Sequence, residues 1–138
     1  MSGLENVVAA ETVLSDINGD KGQLIIRGIP IEQLAGEKTF EEAVYFLWTG
    51  RFPNEDELQA LKEKLLAEMT LEPDDFSFLN GIPTDLETMA YLMTALSGLH
   101  RKGYTWPPDE KQAAQILGKT PAILGYLQSR RSHREPVQ

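Results

Sequence analysis

The sequence predicts a mainly α-helical domain that opens with a β-hairpin and continues in about four main helices. Near the start, two runs of apolar and β-branched residues flank a glycine-containing turn, which is typical of a hairpin. Farther along, apolar side chains recur every three or four residues after groups that can cap a helix. The chain has 138 residues, 41% of them hydrophobic, which is enough for one domain with a buried core. We therefore expect a single domain over residues 1–138, with the hairpin in 1–30 and helices in 31–134.

The hairpin is predicted from two strand-like runs, 12–17 and 23–27. Residues 18–22, with the sequence Asn-Gly-Asp-Lys-Gly, lie between them and supply the positive φ angles that a reversing turn needs. Gly28 and Pro30 are expected to end the second strand, because neither extends a ladder of hydrogen bonds well. A short turn of helix is expected directly afterwards.

The first two helices are predicted from their caps and their apolar stripes. Thr39 and Glu42 fit a capping box, and Gly50 is placed to end the first helix. Asn54 and Glu57 repeat the pattern at the start of the second helix. The apolar stripes are Phe40, Ala43, Val44 and Leu47 in the first helix and Leu58, Leu61, Leu65 and Met69 in the second.

The third predicted helix differs from the others because residues 88–99 carry no charge. Thr84 and Glu87 fit a capping box ahead of it. A helix that is apolar around its whole circumference is expected to be covered on every side. Its own neighbours could cover it, or a second subunit could cover half of it. The connection before this helix is predicted to be a loop, with breakers at Pro73, Gly81 and Pro83.

The fourth helix is predicted to begin with residues 107–110, Pro-Pro-Asp-Glu, which put proline in its first turn. Asp109 and Glu110 then stand in its first turn, where acidic side chains are favoured. Pro121 is expected to kink it, because the ring removes one helical hydrogen bond. A basic cluster at its end could receive a phosphate or a carboxylate, or its cations could simply be solvated. The cluster consists of Arg130, Arg131, His133 and Arg134.

Composition excludes several classes of site and partner. The absence of cysteine excludes disulfides, thiolate zinc sites, iron–sulfur clusters and cysteine nucleophiles, and two histidines cannot build a histidine metal cage. The net charge of −8 argues against nucleic acid, although residues 101–138 hold 7 basic against 3 acidic side chains. No stretch reaches the roughly 18 uninterrupted apolar residues of a membrane span, and the first residues do not resemble a signal peptide. These features predict a cytoplasmic protein that binds neither membrane nor nucleic acid.

No catalytic or metal-binding group is predicted from the residues themselves. Residues 16–20 imitate the start of a calcium loop, but Lys21 and Arg27 stand where that loop needs glycine and glutamate. The paired carboxylates lie at helix starts or in a loop, where the helix dipole explains them. His100 is interpreted as a cation near a helix C-terminus. Residues that bind a cofactor cannot be assigned.

Four consecutive segments resemble the opening of bacterial citrate synthases. They are GLENVVAAET at 3–12, SDINGDKGQLIIRG at 15–28, IEQLA at 31–35 and TFEEAVYFLWTGRFP at 39–53. The similarity continues more loosely over residues 89–98, 113–126 and 134–136. This chain has Glu87-Thr88 where many family members have His-Pro, and Met93 where an arginine is common. These departures leave citrate and 2-methylcitrate synthesis open.

The resemblance implies a mostly helical homodimer whose subunit interface is a sandwich of helices, to which the helices over 84–99 and 109–131 would belong. Its partner would be a second copy or the remainder of the enzyme. Acetyl-CoA is a substrate of the full-length family, and no cofactor is expected to bind this segment. The residues expected at the interface are Met89, Leu92, Met93, Leu96, Ala113, Leu117 and Leu124.

The family's catalytic histidines lie in three motifs: His-Glu-x-Asn-Ala-Ser, Gly-Pro-Leu-His-Gly-Gly and Gly-Phe-Gly-His. None of these motifs occurs in the sequence, so no residue inherits a catalytic role. The first hypothesis is therefore the N-terminal segment of a citrate synthase, which folds and dimerises but is inert alone. The alternative is a stand-alone, non-catalytic module that pairs with itself or with a full-length enzyme.

Overall fold

The computed structural model describes residues 11–98, 103–105 and 107–132. It confirms a mainly helical fold that opens with short antiparallel strands. None of the helices in this part of the chain combines the length and apolar content needed to cross a bilayer. The elements are β1 (Ser15–Asn18), β2 (Gln23–Ile26), β3 (Ile29–Pro30), a 3₁₀ turn (Ile31–Gln33), α1 (Phe40–Thr49), α2 (Glu55–Ala67), α3 (Pro73–Asn80), α4 (Thr88–Gly98) and α5 (Glu110–Ser132).

The chain divides into two compact units, residues 1–61 and 62–138, and α2 runs across the boundary. The prediction of a single domain stays a prediction. The first unit holds the strands, the 3₁₀ turn, α1 and the start of α2. The second holds the end of α2 and the helices α3, α4 and α5.

The sheet of the first unit has three antiparallel strands in the order β1-β2-β3. β1 and β2 form the predicted hairpin, and the Asn18 side chain closes its turn by accepting the backbone N–H of Lys21 at 3.1 Å. The third strand was not predicted. Pro30 pairs opposite Ile25 there, at the edge of the sheet, where a residue without an N–H is tolerated.

A two-residue turn explains the extra strand. Arg27 and Gly28 have φ angles of 44° and 83°, the pair of positive values that a tight type I′ turn requires. The left-handed backbone is costly for arginine. The Arg27 side chain offsets this cost, since its Nε donates to the carbonyl of Leu47 at 2.9 Å, near the C-terminal end of α1, where a cation is favoured.

The predicted ends of α1 are confirmed. The Thr39 hydroxyl accepts the N–H of Glu42 at 3.2 Å, and the Glu42 carboxylate accepts the N–H of Thr39 at 2.9 Å. Gly50 ends the helix with a φ of 83°. The same reciprocal bonds between Asn54 and Glu57 precede α2, at 2.8 and 2.9 Å.

The buried side of α1 differs from the predicted stripe. Val44 is buried as expected, but Phe46 is buried too and Phe40 is 63% exposed. The ring of Phe46 stacks on Phe52 with centroids 4.6 Å apart. The stacked pair adds a favourable aromatic contact on the side of α1 that faces inward.

The predicted loop around Pro73 is wrong, because that proline begins α3. Proline suits the first position of a helix, where its missing N–H would have no helical partner. The Asp75 carboxylate accepts the N–H of Glu72 at 3.0 Å and so caps the new helix. Within residues 11–98, 103–105 and 107–132 there are therefore five α-helices rather than about four.

The start of α4 also differs from the expectation. α4 begins at Thr88, and its first hydrogen bond runs from the N–H of Tyr91 to the carbonyl of Glu87. The capping box predicted at Thr84 and Glu87 does not form. α5 begins at Glu110, slightly later than predicted, so Asp109 caps the helix instead of standing in its first turn, and the helix continues through Pro121.

The second unit has a compact apolar core. Tyr91 of α4 is fully buried at its centre, and its hydroxyl donates to the carbonyl of Leu79 at 3.3 Å. This satisfies the polar end of an otherwise apolar side chain. The core consists of Leu79, Ile82, Tyr91, Leu92, Ala95, Ile123 and Leu127.

Candidate functional site

One side of α4 is uncharged and exposed. Met89 and Met93 are 65% and 67% exposed, whereas Tyr91, Leu92 and Ala95 on the other side are buried in the core. The unit therefore covers α4 on one side only, although the sequence predicts cover on every side. We call the exposed side the outer face of α4; it consists of Met89, Ala90, Met93, Thr94 and Ser97.

The outer face of α4 carries no charged side chain that water would solvate strongly. Its residues recur four apart, at positions 89, 93 and 97 and at 90 and 94, so they form one continuous stripe. The Thr94 hydroxyl donates to the carbonyl of Ala90 within the same helix, at 2.8 Å. Ala90 and Ser97 are small and leave room for a close neighbour. Such a surface is suited to packing against protein.

The helix α5 carries a second uncharged stretch. Residues 120–129 contain no charged side chain, and Pro121, Gly125 and Gln128 are exposed along one side of it. By contrast, exposed positions of α2 include Glu55, Asp56, Lys62 and Glu63.

The seven residues predicted at an interface fall into three groups. Met89 and Met93 are exposed, and Leu92, at 9% exposure, belongs to the core of its own unit. Leu96 and Leu124 are partly buried against that core, and Ala113 and Leu117 are partly buried along α5. Their role at an interface stays a prediction, but Leu92 also has a clear structural role within the chain.

The two described members of the predicted basic cluster are bound within the chain rather than simply solvated. Arg130 and Arg131 direct their guanidinium groups to backbone carbonyls between α3 and α4. His133 and Arg134 lie outside the described residues, as do His100 and the resemblance segments at 3–10 and 134–136.

A buried ion pair was not anticipated from the sequence. Lys119 Nζ lies 2.6 Å from the Asp75 carboxylate, and their side chains are only 6% and 3% exposed. Nζ also donates to the carbonyl of Thr70 at 2.9 Å. The available signal was that Lys119 is the single charged residue between positions 112 and 129. No local pattern points to its partner 44 residues away.

An exposed ion pair joins the end of α1 to the start of α2. Arg51 contacts Glu57 through both terminal nitrogens, at 2.8 and 2.5 Å, and the second also donates to the Tyr45 hydroxyl at 3.1 Å. The Arg51 hydrogen bond, followed by the N–H of Asn54, lowers the pKa of Glu57 to about 2. Glu57 thus both caps α2 and anchors the preceding turn.

The first unit is expected to lose stability as the pH falls from the ordinary Glu57 value of 4.5 towards 2. The folded pKa lies below the unfolded one, so the contribution is complete above 4.5 and disappears once the folded carboxylate takes a proton. Residue-resolved NMR titration should show Glu57 titrating well below 4.5, and Glu57→Gln should flatten this part of the pH profile. A Glu57 titration midpoint near 4.5 would contradict the prediction.

The described residues bring together no catalytic constellation. Within them, no cluster of three or more histidine or acidic side chains could hold a metal ion. The carboxylates of Glu42, Glu57 and Asp75 act as helix caps. What the arrangement offers is a packing surface, the outer face of α4, on a well-anchored helical unit.

Comparison with known proteins extends this picture. Residues 3–138 match the family model described as "Citrate synthase, C-terminal domain". The chain is 33% identical to the citrate/2-methylcitrate synthase of Bacillus subtilis, over 98% of this chain and 38% of that protein. It is also 33% identical to the citrate synthase of Haloferax volcanii, over 94% of this chain and 37% of that protein.

The structural comparison agrees. The crystal structure of citrate synthase from Thermotoga maritima superimposes with a TM-score of 0.83 and 32% identity, covering 99% of this chain and 36% of that one. The chain thus spans between a third and two fifths of the length of these three relatives. Its sequence and its fold together place it in a single group: the chain belongs to the citrate synthase family.

Proposed function

We propose that this chain is the N-terminal portion of a citrate synthase that condenses acetyl-CoA with oxaloacetate, and that it serves folding and subunit association. The observation that carries the proposal is the match along 98% of this chain to only 38% of an enzyme of this kind. Assignment to the N-terminal portion rests on the resemblance of residues 3–53 to the opening of these enzymes. The reacting groups would then lie in the remainder of the enzyme.

The test is to extend the reading frame past the codon for Gln138, purify the product and measure CoA release from acetyl-CoA in the presence of oxaloacetate. Turnover by the extended product and none by the present chain is expected. Parallel assays with propionyl-CoA distinguish citrate from 2-methylcitrate synthesis. Turnover by the present chain alone would overturn the proposal, and a stop codon directly after Gln138 would favour a stand-alone association module.

We extend the proposal to the partner: the outer face of α4 packs against the same face of a second copy. Burial of the thioether groups of Met89 and Met93 would remove their exposed apolar surface from water. The face carries no charge that would have to be desolvated, and its threonine hydroxyl already has an acceptor within the helix.

The lack of cysteine suits a reducing compartment, and we place the protein in the cytoplasm.

Met93→Glu is expected to shift the chain from dimer to monomer, because pairing would place a carboxylate in an apolar contact. The dissociation constant should rise at least about 100-fold, which corresponds to about 2.7 kcal/mol. Sedimentation or light scattering across a concentration series measures it. A substitution at Leu92, such as Leu92→Glu, would not test pairing by itself, because Leu92 belongs to the core of its own unit.

Ala60→Glu is the matched control, since it places the same charge on an exposed position of α2. It should leave the dissociation constant unchanged. Equal effects of the two substitutions, or a wild-type chain that stays monomeric at high concentration, would count against pairing through α4.

A further inference from the structure

Two adjacent arginines in the last turn of α5 bind the backbone that connects α3 to α4. Arg130 Nη1 donates to the carbonyls of Leu79 at 2.6 Å and Ile82 at 3.1 Å, and Nη2 donates to the carbonyl of Asn80 at 3.3 Å. The last carbonyls of a helix have no partner within it and carry the negative end of the dipole. Arg130 therefore caps the C-terminal end of α3 from outside that helix.

Arg131 binds the rest of the same connection. Its Nε donates to the carbonyl of Thr84 at 2.9 Å, and Nη2 donates to the carbonyl of Leu86 at 2.5 Å. Its Nη1 donates to the hydroxyl of Thr88, the first residue of α4, at 2.9 Å. One guanidinium thus spans residues 84–88, from the connection into the first residue of α4.

These contacts differ from ordinary arginine ion pairs. Within the described part of the chain, neither guanidinium is paired with a carboxylate; five of their six acceptors are backbone carbonyls. The aromatic ring of Tyr126 lies 6.0 Å from the Arg130 guanidinium, and the Tyr126 hydroxyl contacts the Asn80 side chain at 2.7 Å. Each of the two guanidinium groups donates to three separate acceptors. This requires the planar, forked geometry of arginine, which a lysine ammonium cannot reproduce.

We propose that Arg130 and Arg131 form a clamp that couples the last turn of α5 to the connection between α3 and α4, so that the start of α4 is ordered only while that turn of α5 is helical. Because Met89 follows Thr88 directly, the clamp also fixes where the outer face of α4 begins. This inference is independent of the proposed enzymatic activity, since it concerns hydrogen bonds within one unit of the chain.

Amide hydrogen exchange of the purified chain, followed residue by residue by NMR, tests the clamp. The reporters near Arg130 are the amides of Gly81 and Ile82, which bond to the carbonyls of Phe78 and Leu79. The reporter near Arg131 is the amide of Tyr91. Arg130→Lys should raise exchange at the first two and Arg131→Lys at the third, each about tenfold, the equivalent of about one lost charge-assisted bond.

Lys111→Ala is the matched control, since it removes an exposed cation from the same helix. It should leave all three reporters unchanged, and amides of α2 should not respond to either arginine variant. The clamp is refuted by wild-type exchange in both lysine variants, or by an equal rise throughout the second unit.

Discussion

Replacing Lys119 with methionine is expected to lower the free energy of unfolding by about 3–5 kcal/mol, because it leaves the Asp75 carboxylate buried without its cation. The expected effect is large because both side chains are almost inaccessible and lie 2.6 Å apart. The carbonyl of Thr70 also loses the donor that Lys119 supplies. Urea unfolding followed by circular dichroism measures the change.

A double variant separates two effects on stability: the loss of the Lys119–Asp75 ion pair, and the cost of burying one charge without its counter-ion. Lys119→Met with Asp75→Asn removes both charges and keeps an acceptor for the N–H of Glu72, so it should recover much of the lost stability. Lys64→Met serves as control because its partner Glu110 is 71% exposed, and it should cost less than about 1 kcal/mol. If Lys119→Met and Lys64→Met lower the free energy of unfolding equally, the buried ion pair contributes no more to stability than the exposed one.

Gly118→Ala is expected to destabilise the chain by about 1–3 kcal/mol, although alanine is the better helix former. A Cβ at this position would lie 2.6 Å from Glu68 Cβ and 2.8 Å from the carbonyl oxygen of Leu65. These are backbone-level contacts at the end of α2, so no side-chain rotation can relieve them. α5 and this end of α2 would have to separate.

Gly125→Ala in the same helix provides the opposite case. No atom lies within 4 Å of the Cβ that would be added there, so alanine should stabilise by about 0.5–1 kcal/mol through its helix propensity. Stability changes of opposite sign at the two glycines, measured by thermal or urea unfolding, test the close approach of α5 to the end of α2 directly. A stabilising Gly118→Ala would mean that α5 and α2 are not in contact at this point.

The sequence predicts this fold best where the determinants are local. The hairpin turn at 18–22, the capping boxes at Thr39 and Asn54, and the helix end at Gly50 all use partners within a few residues. The loop predicted around Pro73 is wrong, since a proline can either interrupt a helix or begin one, and the local sequence supports both structures. The third strand was also missed, because arginine is not expected at a positive φ.

The sequence by itself determined the family, the helical class, the starts of α1 and α2 and the unusual lack of charge in α4. Only the tertiary structure decided which side of α4 is covered, that α4 begins at Thr88, and what Lys119, Arg130 and Arg131 bind. Caps and turns are closed by neighbours along the chain, so their partners can be inferred from spacing. These three cations instead bind groups 43 to 51 residues away, and no sequence period identifies such a partner before the helices pack.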